Sequence, residues 1–104
     1  MALQGSITLD NGIVLSSAYL RVLEVVIRYI SGDNSADIKV LIFKDSVAYN
    51  DSLPEVMEVN HVVNGGDFNT YFSEIVLSEV GKTALTQAYV WLKTLPQYSE
   101  LTDV

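Results

Sequence analysis

The chain has 104 residues, of which 49% are hydrophobic, and its 13 acidic and 6 basic residues give a formal net charge of −7. A chain of this length and apolar content can offset the entropy of ordering its backbone and bury one core, so an intrinsically disordered protein is not expected. The negative charge repels phosphate backbones, and the six scattered cations form no basic stripe, so we expect no direct nucleic-acid binding.

Three further properties of the sequence narrow the class of protein. The chain has no cysteine, which excludes disulfides, zinc–thiolate sites, iron–sulfur clusters and thiol nucleophiles. Its longest apolar stretch, residues 22–30, is interrupted by Glu24 and Arg28 and is much shorter than a membrane helix. The first residues also lack the basic and apolar regions of a signal peptide. We therefore expect no membrane insertion.

The first predicted element is a β-hairpin. The segments Ile7-Thr8-Leu9 and Ile13-Val14-Leu15 flank Asp10-Asn11-Gly12, and Asn-Gly between alternating apolar residues is a strong hairpin signal. A long strand is predicted next, over residues 18–30, because this segment is rich in β-branched residues, leucine and tyrosine and has no glycine or proline. A helix is the alternative there, since several apolar residues also recur at intervals of three and four.

A second hairpin is predicted around the polar residues 31–35, which have turn chemistry. The segment that follows, residues 36–47, is another long apolar run with Ile38, Val40 and Ile42 on one face. We therefore interpret residues 36–47 as the partner strand of residues 18–30.

The middle of the chain is predicted to continue the sheet. Residues 50–54 form a loop, because Pro54 cannot donate to a strand ladder. Residues 56–63 alternate as a strand does, and the turn residues 64–67 end that strand. Residues 68–77 are rich in aromatic and β-branched residues, which predicts a further strand.

The last predicted element is an amphipathic helix over residues 78–96. Its apolar residues recur at helical spacing at Val80, Ala84, Ala88, Trp91, Leu92 and Leu95. Ser78 or Thr83 can cap the start of the helix and Pro96 stops it. The polar residues 97–104 are expected to fray. The prediction is therefore an α+β fold in one domain, 1–104, with an antiparallel sheet in residues 1–77 and the C-terminal helix packed on one face.

The predicted sheet has more apolar side chains than one helix can cover. Simple alternation places Tyr19, Leu23, Val25 and Ile27 on one face of the long strands and Leu20, Val22, Val26 and Ile30 on the other. Because soluble monomers rarely expose large contiguous apolar patches, we expect an oligomer or a docked partner. The alternative is that the sheet curls or splits into a sandwich and buries both faces itself.

The residue patterns that would indicate chemistry are incomplete. Gly81-Lys82-Thr83 resembles the end of a phosphate-binding loop, but Val76 stands where that loop needs glycine. His61 is the only histidine, and no local signature joins it to a serine and a carboxylate. Residues 33–44 begin like a calcium loop but have Ile38 and Lys44 at its two decisive positions. We therefore expect no enzyme, no cofactor and no metal.

Four aromatic residues near predicted loops and edges are candidates for a partner interface, because tyrosine and phenylalanine often anchor such surfaces: Tyr49, Phe68, Tyr71 and Phe72. Two alternatives stay open. Phe68 and Phe72 can instead fill the core, and exposed aromatics can also form the platform of a carbohydrate-binding module.

Both ends of the chain resemble small structural proteins of tailed bacteriophages. At the N-terminus, residues 1–3, 7–15 and 18–21 carry the resemblance, and at the C-terminus the segment Tyr-Val-Trp-Leu-Lys-Thr-Leu-Pro, residues 89–96, carries it. The resemblance implies a virion protein, assembled in the host cytoplasm, that serves as an adaptor of the tail, baseplate or fibres. Its partners would be other virion proteins and further copies of itself, and capsid decoration is a second role in the same setting. These residues are not catalytic, so the resemblance implies no active site.

Overall fold

The computed structural model describes residues 2–9, 11–29 and 34–104. The strands are β1 (Leu3–Thr8), β2 (Val14–Arg28), β3 (Ser35–Phe43), β4 (Met57–Asn64) and β5 (Thr102–Asp103). They form a central antiparallel sheet with the order β4-β3-β2-β1-β5. Within the described residues, four short helices accompany the sheet: α1 (Ser46–Asn50), α2 (Gly65–Tyr71), α3 (Glu74–Leu77) and α4 (Ala84–Leu92). The α+β class with an antiparallel sheet is confirmed.

The predicted N-terminal hairpin is formed by β1 and β2. At its turn, Gly12 has a φ of 86°, which glycine adopts without steric cost. The Asn11 Oδ1 atom accepts a hydrogen bond of 3.1 Å from the Ile13 amide. The Ile13 carbonyl accepts a hydrogen bond of 2.8 Å from the Leu9 amide. The Asn-Gly signal was therefore sufficient to locate this hairpin, although Asp10 lies outside the described residues.

Residues 18–28 form a strand and not a helix, as predicted, and they continue the second strand of the hairpin without a break. The register of β2 against β3 shifts between Val22 and Glu24. This bulge adds one residue, so every side chain beyond it lies on the face opposite to that expected from simple alternation. Val25 and Ile27 therefore pack against the core, whereas Val26 lies opposite Asp37 on the other face. The predicted faces were wrong beyond Leu23, and Ile30 is outside the described residues.

The second long strand ends earlier than predicted, because residues 46–50 form α1 instead of more strand. Asp45 is the reason. Its Oδ1 atom accepts a hydrogen bond of 2.8 Å from the Ala48 amide, which caps the start of the helix. The residues of the expected turn at 31–33 lie outside the described part of the chain.

The strand predicted over residues 68–77 is wrong, since this segment belongs mainly to α2 and α3. Phe68 and Phe72 are four residues apart, the spacing that puts two side chains on one helical face, and both are buried. Ser73 then accepts a hydrogen bond of 3.3 Å from the Val76 amide and caps α3. Aromatic and β-branched content indicated a strand here, but tertiary burial of two phenylalanines and a serine cap determined helices.

Of the helix predicted over residues 78–96, the central part forms α4, and the residues on either side of it are not helical. Of the two candidate caps, Thr83 is the one used: its Oγ1 accepts from the Thr86 amide at 3.2 Å, and its own amide donates to Thr86 Oγ1 at 2.9 Å. This reciprocal pair is a capping box. Ser78 instead ends α3.

The core lies on one side of the sheet, called here the inner face and defined by Ala36, Ile38, Val40 and Ile42 of β3. Its cover is shared among buried residues of α2, α4 and the C-terminal segment: Phe68, Phe72, Ala88, Tyr89, Trp91, Leu92, Tyr98 and Leu101. The hydroxyl of Tyr89 accepts a hydrogen bond of 2.9 Å from the Val22 amide, just beyond the point where β1 pairs with β2. The cover of the inner face is therefore assembled from several short segments.

The C-terminal residues 97–104 do not form a polar tail, which corrects the prediction that they fray. Tyr98 and Leu101 are buried, and β5 pairs with β1. Ala2 and Val104 exchange two backbone hydrogen bonds of 3.0 Å. A Cβ atom on Gly5 would lie 2.8 Å from Leu101 Cδ2, so a larger residue there would require the Leu101 side chain to move. The last residues of the chain therefore form the edge strand of the sheet next to β1.

The opposite side of the sheet, called here the outer face, is more polar than predicted. Its cross-strand rows, read across β2, β3 and β4, are Val26-Asp37-Val62, Glu24-Lys39-Asn60 and Arg21-Leu41-Glu58. Because the bulge moves Val25 and Ile27 to the inner face, charged residues occupy much of this surface. The apolar surplus that suggested a covering partner is therefore reduced to a few side chains, mainly Leu23, Val26 and Val62.

Candidate functional site

The four aromatic residues proposed as an interface fall into two pairs. Phe68 and Phe72 fill the core, the alternative that the sequence left open, and their ring centroids lie 6.3 Å apart. Tyr49 and Tyr71 are half-buried. The carbonyl of Tyr71 accepts a hydrogen bond of 3.2 Å from the Gln87 side chain, which ties α2 to α4. These four residues do not form one surface cluster.

Tyr49 joins α1 to the outer face of the sheet. Its ring centroid lies 5.1 Å from each of the Tyr19 and Phe43 rings, and the Arg21 guanidinium lies 4.9 Å over its face. A cation over an aromatic face is attractive, so these contacts hold α1 against the strands. An open groove runs from Tyr49 to Glu55, but the ring that would serve as a carbohydrate platform is already engaged within the chain.

A chain of charges crosses the outer face. The Lys39 ammonium lies 3.3 Å from a carboxylate oxygen of Glu24 and 3.3 Å from one of Glu58, so it bridges β2, β3 and β4. Hydrogen bonds to these two carboxylates raise the pKa of Lys39. Arg28 and Asp37 form a further ion pair between β2 and β3. Such exposed pairs add little stability, but they fix which side chains the outer face presents.

The strand β4 is the open edge of the sheet, because within the described residues it pairs only with β3. Its eight residues pair with β3 in a continuous register, without the shifts that interrupt the β1–β2 and β2–β3 pairs. It contains no proline and no lysine, and its only charged side chain, Glu58, is paired with Lys39. The opposite edge of the sheet is the two-residue strand β5.

His61 lies on the inner face of β4, opposite Ile38. Its Nε2 atom is 2.9 Å from the Tyr98 hydroxyl, and its ring meets those of Tyr98 and Trp91 edge to face at 5.5 and 6.0 Å. Burial lowers the pKa of His61. The contacts described for this ring involve aromatic residues, and Ser73 caps α3.

The other sequence fragments have structural roles in the described residues. Lys82 pairs with Glu79 at 2.7 Å and Thr83 caps α4, so the phosphate-loop fragment serves as a helix start. Gly65 and Gly66 begin α2. Among the described residues, no group of three His, Asp or Glu side chains is placed to hold a metal ion.

Comparison with known proteins gives no further indication of function. No protein family, curated protein or solved structure matches the sequence or the fold. Within the described residues, no helix combines the length and apolar character that crossing a membrane requires.

The site that sequence reasoning missed is the edge of β4. Residues 56–63 were recognised as a strand, but a strand's neighbours depend on pairing between distant segments, for which the sequence offers no local signal.

Proposed function

We propose that the chain is a structural or adaptor protein of a tailed-phage virion, associated with the tail, baseplate or fibres, that acts by binding protein surfaces and has no catalytic role. The resemblance of residues 1–3, 7–15, 18–21 and 89–96 to such proteins supports the phage setting. Virion subunits work through repeated interfaces generated by symmetry, and these need an accessible surface and no reaction centre.

The observation that carries the proposal is the open edge of β4. Proteins usually protect such edges with lysine, proline, bulges or very short strands, since unpaired amides and carbonyls recruit further strands. The β5 edge follows this rule because it has two residues, whereas β4 is long and regular. Strand addition is a common recognition mode in which main-chain hydrogen bonds supply the affinity. We infer that β4 receives a strand from another chain.

A second copy of the protein fits this edge. In an antiparallel pairing centred on His61, Glu58 faces Asn64 of the second copy and Asn60 faces Val62 of the second copy. No like charges then lie opposite each other across the new pair. Val62 is 54% exposed on the outer face and would be covered by this contact. The two sheets would join into one sheet of ten strands.

The test is a charge placed on the edge. Val62→Lys adds the residue type that natural edges use against association, at a side chain that the isolated chain leaves exposed. Val90→Lys is the matched control, because Val90 is 51% exposed and lies on α4. We expect multi-angle light scattering to show a dimer for the unchanged protein and for Val90→Lys, and a monomer for Val62→Lys. A monomeric unchanged protein, or equal dimers of both variants, would contradict β4 pairing.

The virion assignment has its own test. Particles purified from the phage whose genome encodes this chain should contain it, and mild disruption followed by mass spectrometry should recover it with tail or fibre proteins. Recovery with the capsid would indicate a decoration protein instead. Absence from purified particles would overturn the virion assignment, whatever the oligomeric state of the isolated protein.

A further inference from the structure

A cavity of about 280 Å³ lies between the end of β1, the ends of β3 and β4, and the C-terminal segment. Its lining residues are Ile7, Thr8, Leu9, Ile42, Met57, Val59, His61, Gln97 and Tyr98. The register of β1 against β2 shifts between Gly5 and Ile7, next to the cavity, and none of the described lining residues belongs to α2 or α4. The cavity is therefore a gap between the sheet and its C-terminal cover.

The walls of this cavity combine apolar surface with a few hydrogen-bonding groups. Ile42, Met57 and Val59 present the inner face of β3 and β4. Beside them on β4 lies the His61 ring, whose Nε2 atom is 2.9 Å from the Tyr98 hydroxyl. Most ligand sites have this composition, in which apolar walls supply affinity and a small number of polar groups orient the ligand.

The lining of the cavity disfavours anions. Among the described residues that line it, none is Lys, Arg, Asp or Glu. Burial disfavours the charged form of the His61 ring, and the chain as a whole carries −7. A carboxylate or phosphate would lose its hydration without gaining a lysine or arginine partner among these residues. The lining therefore favours an uncharged molecule over an anion.

The size of the cavity limits the molecule further. Its volume lies just below the range of about 300–1,000 Å³ that holds drug-sized ligands. We propose that this cavity binds a small, neutral, mainly apolar molecule of about one ring, with one hydroxyl or carbonyl group that hydrogen-bonds to the His61–Tyr98 pair. The site lies on the inner face and does not depend on whether β4 receives a strand.

The experiment is a titration of the isotope-labelled full chain, followed by NMR, with benzyl alcohol and with benzoate as probes. Benzyl alcohol should produce saturable shifts of the His61, Tyr98 and Val59 signals. Benzoate should bind at least about tenfold more weakly than benzyl alcohol, because its carboxylate must be desolvated. No saturable shift with benzyl alcohol, or equal binding of both probes, would overturn the proposal. Shifts of the same signals on raising the protein concentration alone would assign the cavity to a side chain of a second copy and would also overturn it.

A cavity-filling variant locates the bound probe. Val59→Phe places a ring in the cavity and should abolish the benzyl alcohol shifts, whereas Val90→Phe, on the exposed side of α4, should leave them unchanged. If Val59→Phe does not fold cooperatively, Thr8→Phe gives the same test, because Thr8 lines the cavity and is exposed. A folded filling variant that binds benzyl alcohol as the unchanged protein does would place the probe elsewhere and contradict the site.

Discussion

Leu23 lies at the bulge of β2, and its position determines which residues of the central strands meet water. With one residue added there, Val25 and Ile27 pack on the core and Glu24 reaches Lys39 on the outer face. A strand without this bulge would present two aliphatic side chains outward instead of a charge. One residue thus changes the outer face from an apolar surface into a mainly polar one.

At the residue scale, His61 makes the free energy of unfolding depend on pH. Burial lowers its pKa below 6.5, so the unfolded chain takes up a proton at a higher pH than the folded protein does. The contribution of the neutral ring is complete above the unfolded pKa and is lost as the pH falls below it. We expect the free energy of unfolding, measured with urea, to decrease on going from about pH 7.5 to about pH 5.5.

The variant His61→Gln isolates this effect. It keeps a hydrogen-bonding side chain opposite Tyr98 but cannot take up a proton in this pH range. The two proteins differ only at residue 61, so the difference between the two pH profiles belongs to His61. Parallel profiles would show that the buried ring does not control acid stability.

At the scale of elements, the C-terminal segment is the clearest departure from expectation. Residues 97–104 contain few apolar side chains, and a polar C-terminus usually frays. Here Tyr98 and Leu101 reach the core, and the backbone pairing of β5 with β1 fixes the last residues. Nothing local in the sequence signals this, because the partner strand is almost one hundred residues away.

Leu101→Ala tests the structural role of this segment. Leu101 is 3% exposed, and shortening a buried leucine removes apolar contacts and leaves a cavity, which costs about 2–5 kcal/mol. Glu100→Ala is the control, since Glu100 is exposed and its loss should change stability by no more than about 0.5 kcal/mol. Urea unfolding would measure both. Equal stability of the two variants would mean that the segment is frayed in solution.

The other elements differ in how well the sequence predicted them. The Asn-Gly hairpin and the strand β4 were predicted because turn chemistry and alternation are local signals. The helices α2 and α3 were missed because aromatic and β-branched residues favour strands, and only the burial of Phe68 and Phe72 together favours the helix. The cap of α4 was one of two candidates, and the capping box identifies Thr83.

At the scale of the whole molecule, the net charge of −7 opposes the self-association proposed for β4. Two copies repel each other most at low ionic strength, where the screening length is about 30 Å at 0.01 M salt compared with about 10 Å at 0.1 M. We expect the dimer to become tighter, with a dissociation constant several-fold lower, when sodium chloride rises from about 10 to about 100 mM. Sedimentation velocity would measure the change.

The control for this salt effect is Val62→Lys, which should stay monomeric at both salt concentrations. A dimer of the unchanged protein that weakens as salt is added would show that ion pairs between copies hold it together. The uncharged strand edge would then not be the principal contact. Lys39, Arg28 and their acidic neighbours on the outer face would be the first residues to exchange.

The sequence by itself determined the α+β class of this protein, its first hairpin and most of its strands. The turn signals, the strand-like alternation and the helical spacing near the C-terminus depend on neighbouring residues, and they predicted an α+β protein with an antiparallel sheet. Only the tertiary structure decided the faces of β2, the open edge of β4, the closing strand β5 and the cavity beside His61. Each of these depends on contacts between residues far apart in the chain, which packing of the whole molecule selects.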